Sequence, residues 1–307
     1  MKLKKNLVYL LVLISLLVGG SIVQATDYPI TVTDDLKEKV TIDEQPKRII
    51  SLAPSNTEIL FALGLEDKVV GVTKHADYPQ AATKKKQVSS KNLETIIQLK
   101  PDLVLAAGIT SKEMVKRLRQ LGIKVIGLNP KTIKEIIASI SLVGKITGQQ
   151  KKARKLTTRM QDKINKITET IKEHVSQKQR PEVFYEVWKQ PLYTAGPNTF
   201  IDNLISLAGG VNIAHDAQSA WPQYSFEVLL AKNPDVYLAS KHSWKGTVTK
   251  RTIMNRDEFA SIKAIREGRV HILNPDIVNR PGPRIVIALE KIAKVLHPKL
   301  FSVTSDE

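Results

Sequence analysis

Two glutamates, Glu94 and Glu227, lie in stretches that echo one another: NLETIIQLKPDLVLA at 92–106 and SFEVLLAKNPDVYLA at 225–239, with five of the fifteen positions identical. A carboxylate can act as an acid–base group, as a metal ligand or as a fixed surface charge. Each of these two is preceded by a helix-capping residue, Asn92 or Ser225, and followed by a Pro-Asp pair and an apolar run. That order predicts cap, helix, turn and strand in both copies, with the acid in the first helical turn. There a carboxylate gains about 0.3–1 kcal/mol from the helix dipole, which explains either glutamate alone. As a pair at equivalent points of a duplicated lobe, they also suit a two-fold symmetric partner that carries two basic groups.

A second set of residues follows apolar strand-like runs. In open α/β sheets ligands sit beyond the carboxyl ends of strands. His75 and Tyr78 follow VVGV, Trp188 follows EVFYEV with Tyr193 nearby, and Trp221 precedes the second echo. His242 and Trp244 follow VYLAS; Asp276, Ile277, Val278, Asn279, Arg280 and Arg284 follow VHILN. All three tryptophans of the chain fall in these loops. Large rings outside regular elements suit a wide, flat, partly apolar ligand. Catalytic patterns are missing: the chain has no G-x-S-x-G, H-E-x-x-H, P-loop or G-x-G-x-x-G. The six histidines show no ligand spacing, and with no cysteine there is neither disulfide nor thiolate chemistry. The expectation is a binding protein and not an enzyme, with no resident metal and no cofactor; the contrasting reading, an exported hydrolase, would need a converging nucleophile and base.

These residues require a scaffold, and the patterns supply one. YPITVTDDLKEKVTI alternates about a polar turn, as a hairpin does. KRIISLA, KVVGV, PDLVLAAG and IKVIGLN are short strands separated by helical segments. In PSNTEILFALG, Ser55 or Asn56 caps a helix, Glu58 stands in its first turn and Gly64 stops it. From 149 to 174 there is no proline or glycine, and Leu156, Met160, Ile164, Ile167, Ile171 and Val175 form one stripe at steps of three and four. A helix of that length reaches roughly 40 Å and joins two similar α/β regions. The strand–helix alternation resumes after Pro181. The fold expected is α/β: two lobes with mostly parallel sheets joined by one long spine helix. Its boundaries are a cleaved signal peptide at 1–25, an N-terminal lobe at 26–148, a connecting helix at 149–176, a C-terminal lobe at 177–301 and a tail at 302–307.

The signal is read from Lys2, Lys4 and Lys5, an apolar run from Leu7 to Val18, and Val23-Gln24-Ala25 before the cleavage point. It predicts export to the periplasm, and without a cysteine to carry lipid the mature chain is expected to be free there. The formal net charge is +17, but the basic residues are dispersed and aromatics make up only 5%. No nucleic-acid partner is expected, and most of this charge is solvated surface.

At this point the chain resembles the periplasmic binding proteins for vitamin B12, haem and ferric siderophores that serve ABC importers. The resemblance rests on RIISLAPSNTEILFALG, VVGVTKHADYP, NLETIIQLKPDLVLA, AGGVNIA, WPQYSFEVLL and RPGPRI. WPQ and DYP lean towards the cobalamin-binding branch. The resemblance implies a monomer that holds cobalamin or a similar metal chelate between its lobes, with little change of lobe angle. It implies that Glu94 and Glu227 dock onto arginines of an ABC permease dimer in the inner membrane. It also places DIVNR, 276–280, against the corrin's edge, where Arg280 would suit amide or carboxylate groups. His75 stands where the cobalamin binders carry an aromatic, and imidazole could coordinate a cobalt or iron centre.

Overall fold

The computed structural model describes residues 28–241 and 248–301. The signal expected at 1–25, His242 and Trp244, and the tail at 302–307 lie outside the described residues. A hairpin of β1 (Ile30–Thr33) and β2 (Lys39–Ile42) opens the fold. Five parallel strands follow: β3 (Ile49–Ser51), β4 (Val69–Thr73), β5 (Gln87–Val88), β6 (Leu103–Ala107) and β7 (Lys124–Leu128). Helices α1 (Pro54–Ala62), α2 (Leu93–Ile97), α3 (Lys112–Gln120) and α4 (Ile133–Ile146) connect them or follow the last. The sheet order is β5-β4-β3-β6-β7, so the chain reverses direction across the sheet between β3 and β6. That leaves a crevice at their carboxyl ends.

After α5 (Gln150–His174), the second lobe contains β8 (Glu182–Trp188), β9 (Tyr193–Thr194), β10 (Val211–Asn212), β11 (Val236–Ser240) and β12 (Val270–Leu273). Its helices are α6 (Phe200–Leu207), α7 (Phe226–Lys232), α8 (Lys250–Met254), α9 (Lys263–Arg266), α10 (Pro275–Val278) and α11 (Ile285–Leu296). The parallel order is β10-β8-β11-β12, with β9 antiparallel on β8. The reversal lies between β8 and β11, so each lobe opens at the same kind of crevice.

The two echoes fold alike, down to single atoms. Lys100 and Asn233, at matched positions, both take left-handed backbone, φ 45° and 43°. The Asp102 carboxylate accepts from the N–H of Lys47 and Arg48, and the Asp102 N–H donates to the Arg48 carbonyl. The Asp235 carboxylate accepts from the Glu182 N–H, and its own N–H donates to the Glu182 carbonyl. In each lobe the aspartate after the turn therefore locks the incoming strand to the start of the first sheet strand.

The stripe expected on the long helix is its buried face: Met160, Ile164, Ile167 and Ile171 are all buried. α5 packs on α4 of one lobe and α11 of the other. One apolar cluster runs from β3 and β6 through α5 to β8 and α11, so the lobes share a core. Close-packed interiors transmit force and do not slide freely. Among the described residues no helix is long and apolar enough to cross a membrane.

The start of α1 departs from expectation. Its cap position is Ala53, without a side-chain bond, because the turn of the chain comes earlier than Ser55 or Asn56. Both residues lie inside the first turn. Asn56 Nδ2 donates to the Leu105 and Ala106 carbonyls and ties α1 to the end of β6.

Candidate functional site

The two crevices face one another across a cleft of about 560 Å³. The N-terminal lobe contributes the start of α1, Ile109 after β6 and Lys131 after β7; the C-terminal lobe contributes Tyr185 and Val187 of β8, Phe200 of α6 and Trp221. Trp221 meets Phe200 edge-on, with ring centroids 6.4 Å apart, and remains 44% exposed. Ile109 is 85% exposed on the other lobe. Apolar groups this exposed at the rim of a cleft gain free energy when a ligand covers them, at roughly 25 cal/mol per Å². Asn279 is fixed from both sides: its Nδ2 donates to Ser240 Oγ at 3.1 Å and its Oδ1 accepts from Tyr185 Oη at 3.1 Å. Burial pushes the Tyr185 phenol well above its usual range, so it stays protonated and donates.

Of the residues expected to touch a ligand, Trp221, Asn279 and Arg280 line this cleft. Trp244 is outside the described residues, and the other described ones do not line the cleft. Ile277 and Val278 point inward and are core residues, 5% and 0% exposed, because the short helix α10 turns them onto α11. Trp188 ends β8, where the pairing with β9 is irregular, is 39% exposed, and its Nε1 donates to the Gln190 carbonyl at 2.9 Å. The His75 side chain is exposed, and only its carbonyl is engaged, accepting from Arg280 Nη2 at 3.2 Å. Among the described residues no group of three or more His, Asp or Glu forms a metal site.

Arg280, expected to reach for a ligand, is held by the protein. It joins Asp77 (2.7 Å), Asp276 (2.7 Å) and, at 3.4 Å, Glu58. Arg284 grips Glu58 with two bonds, Nε to Oε2 at 2.9 Å and Nη2 to Oε1 at 2.6 Å. The Tyr78 ring covers the Arg284 guanidinium, 3.8 Å from its centroid. Asp77, Tyr78 and Glu58 belong to one lobe and both arginines to the other, so the cluster is a latch across the cleft's end. Glu58, expected in the first turn of α1, lies beyond it because the helix starts at Pro54, and is 3% exposed at the latch's centre. Gly282 of the second lobe packs beside Ser55 and Glu58 of the first.

The hydrogen bond from Arg280 holds the Asp77 carboxyl below its usual value of 3.8. As pH falls, the unfolded chain therefore takes up this proton first. The latch's contribution is complete above the ordinary value and is lost as pH falls through the lower folded one. The melting temperature of Asp77→Asn should lie below that of the parent at pH 7, and the gap should close below pH ~3. A gap of the same size at both pH values would show that this ion pair does not contribute to stability.

Glu94 and Glu227 are both exposed in the first turns of α2 and α7. Asn92 accepts from the Thr95 N–H and Ser225 from the Val228 N–H, as the echo predicts. A hydrogen bond from the Ser225 hydroxyl holds the Glu227 carboxyl below its usual range, so it is ionised at neutral pH. Ile97 and Val228, one on each helix, are exposed beside these acids.

Residues 49–277 match the family model described as periplasmic binding protein, which is most of the chain. The chain belongs to the periplasmic binding protein family. This binding protein is 36% identical over 281 residues to the ABC transporter substrate-binding lipoprotein YvrC of Bacillus subtilis, covering 89% of this chain and 87% of that one. It is 35% identical over 259 residues to the vitamin B12-binding protein of Vibrio cholerae, covering 81% and 89%. In structure it resembles the periplasmic vitamin B12 binding protein BtuF of Vibrio cholerae, with a TM-score of 0.68, 32% identity and coverage of 84% and 99%. It also resembles the periplasmic heme-binding protein RhuT of Roseiflexus, with a TM-score of 0.74, 25% identity and coverage of 83% and 99%.

Several cleft residues of this periplasmic binding protein escaped the sequence reading, among them Ile109, Lys131, Tyr185, Val187 and Phe200. Ile109 follows a strand just as the tryptophans do, and extending the post-strand rule from rings to large aliphatics would have found it. Phe200 was hidden inside a helix.

Proposed function

We propose that this chain is the substrate-binding component of an ABC importer and that it captures cobalamin or a related corrinoid between its lobes, on the outer side of the inner membrane. The observation that carries the reading is the cleft, walled by Trp221 and Phe200 on one lobe and Ile109 on the other. A flat macrocycle presents an apolar face to such walls and amide groups to the polar rim. Relatives bearing the names cobalamin-binding and vitamin B12-binding protein, at 32% and 35% identity, support it. Haem is the competing ligand, favoured by the likeness to a heme-binding protein. Yet the described residues lining the cleft include no histidine or methionine, and their one tyrosine, Tyr185, is buried with its hydroxyl bonded to Asn279. Haem iron takes an axial ligand from the protein, whereas a corrinoid brings its own cobalt ligands. The chemistry required is capture without turnover, and delivery to a permease dimer through Glu94 and Glu227.

Parallel calorimetric titrations with cyanocobalamin, dicyanocobinamide, haem and a ferric siderophore test this. Cyanocobalamin should bind tightest; a preference for haem or the siderophore would overturn the corrinoid reading. Trp221→Ala should weaken cyanocobalamin binding by about 1–3 kcal/mol, the worth of covering a large apolar side chain. Unchanged affinity would mean that this ring is not covered by the ligand.

A further inference from the structure

The first turn of α1 forms part of the cleft wall, and its hydrogen-bonding capacity is unspent. Ala53 offers no side-chain cap, and Pro54 has no N–H. The N–H groups of Ser55 and Asn56 have no acceptor among the described residues. Ser55 is 7% exposed, and its hydroxyl has no partner either, while keeping some open area. That opening is the cleft, which Ser55 lines. Asn56 lines the cleft as well, so two amides and one hydroxyl without partners stand in adjacent residues of its wall.

No carboxylate lines the cleft there. The carbonyl of the cap residue Ala53 already accepts from the Ser51 hydroxyl and from the Thr57 hydroxyl and N–H. The residues lining the cleft include Lys131 and Arg280 and no aspartate or glutamate. Lys131 is exposed, and its Nζ donates only to Asn129 Oδ1, at 3.0 Å, so the ammonium can swing towards a bound anion. A helix amino terminus carries partial positive charge and aims its N–H groups outward. Unmet donors in a place this buried gain more from an ionised acceptor than from a neutral one.

The geometry points to an anion subsite at the start of α1, formed by the Ser55 and Asn56 amides and Ser55 Oγ, for a phosphate or carboxylate group of the captured ligand. It deepens the proposed function and rests on the cleft being the ligand site. A corrinoid with its nucleotide carries a phosphodiester, its cobinamide form has the same ring without the phosphate, and haem carries two carboxylates. The subsite therefore gives the cleft a way to select intact cobalamin over the truncated ring.

Two measurements test it. First, the wild-type protein is titrated with inorganic phosphate and followed by amide resonances. The Ser55 and Asn56 signals should shift saturably at millimolar phosphate; unmoved signals overturn the subsite, whatever the cleft binds. Second, affinities for cyanocobalamin and dicyanocobinamide are compared in wild type and in Ser55→Asp, which puts a carboxylate where the anion would sit. The ratio favouring cobalamin should fall ~10-fold, the scale of a helix-terminus interaction with an anion. An unchanged ratio overturns the assignment of the phosphodiester to this place. If neither corrinoid binds the wild type, the corrinoid reading itself fails, and the phosphate titration still decides the subsite. Ser55→Ala, which removes the hydroxyl alone, should lower the ratio less than Ser55→Asp; an equal or larger loss would oppose the role given to the amides.

Discussion

Replacing Glu186 by alanine lowers the stability of the folded chain by about 3–5 kcal/mol. Glu186 and Arg256 are 2% and 4% exposed in the C-terminal lobe, joined by two bonds, one of them Arg256 Nη2 to Glu186 Oε1 at 3.1 Å. The Tyr237 hydroxyl donates to the same carboxylate. The guanidinium also lies over the Phe259 ring, 5.0 Å from its centroid, among buried Phe184, Ile253 and Ile265. Removing Glu186 leaves a cation without a counter-charge in an apolar cluster, and a buried phenol without an acceptor. The loss therefore measures the stranded charge and not the value of the pair. A triple variant, Glu186→Leu with Arg256→Met and Tyr237→Phe, should recover most of it, since an apolar replacement of similar volume needs no counter-charge. Denaturant melts of the three proteins provide the check. A loss under ~1 kcal/mol for Glu186→Ala, the range of exposed pairs, would mean that this network is hydrated in solution.

How much of this architecture could be read in advance depends on the range over which each pattern acts. The spine helix and its stripe were legible because the period of 3.6 is local, and Met160 to Ile171 recorded it directly. The echo was legible because cap, turn and strand each occupy a few adjacent residues. Its strongest confirmation, the matching left-handed Lys100 and Asn233, is a backbone property that no single letter announces, lysine being uncommon there. The latch was not legible. Glu58 and Arg284 are 226 residues apart, and each has an ordinary local explanation, a helix acid and a loop cation. The same holds for Arg280, whose guanidinium was open to assignment to a ligand until Asp77 and Asp276 were seen around it. Of the loop tryptophans among the described residues, Trp221 reaches the cleft and Trp188 does not, because the loop rule decides only which end of the sheet a residue reaches and the strand irregularity at Glu186–Trp188 is not written in the letters. Within the site, post-strand position located the cleft's residues in chain order but did not distinguish those facing in from those facing the core, such as Ile277 and Val278.

Uptake through the proposed importer should be abolished by changing Glu94 and Glu227 together to alanine, with ligand affinity unchanged. Neither residue lines the cleft, so capture does not involve them. Both stand exposed at the first turn of the helix that leads into the strand beside each lobe's crevice, β6 in one and β11 in the other. Their placement repeats with the duplicated fold, so two equal basic sites on a two-fold partner can be met at once. Engaging both converts the second contact into an intramolecular event, and the joint affinity exceeds either alone by roughly 10²–10⁴. Each single change should therefore cost much of the transport rate, and the double change nearly all of it. Helix-dipole stabilisation predicts a different pattern: a loss of about 0.3–1 kcal/mol of fold stability per site, and transport otherwise intact. Charge reversal separates the two further. Glu94→Lys with Glu227→Lys would repel basic permease sites and abolish uptake even if alanine left a remnant, while the cleft still bound ligand in calorimetry. Normal uptake by the doubly reversed protein, with its fold intact by circular dichroism, would leave these acids as helix-stabilising residues and nothing more.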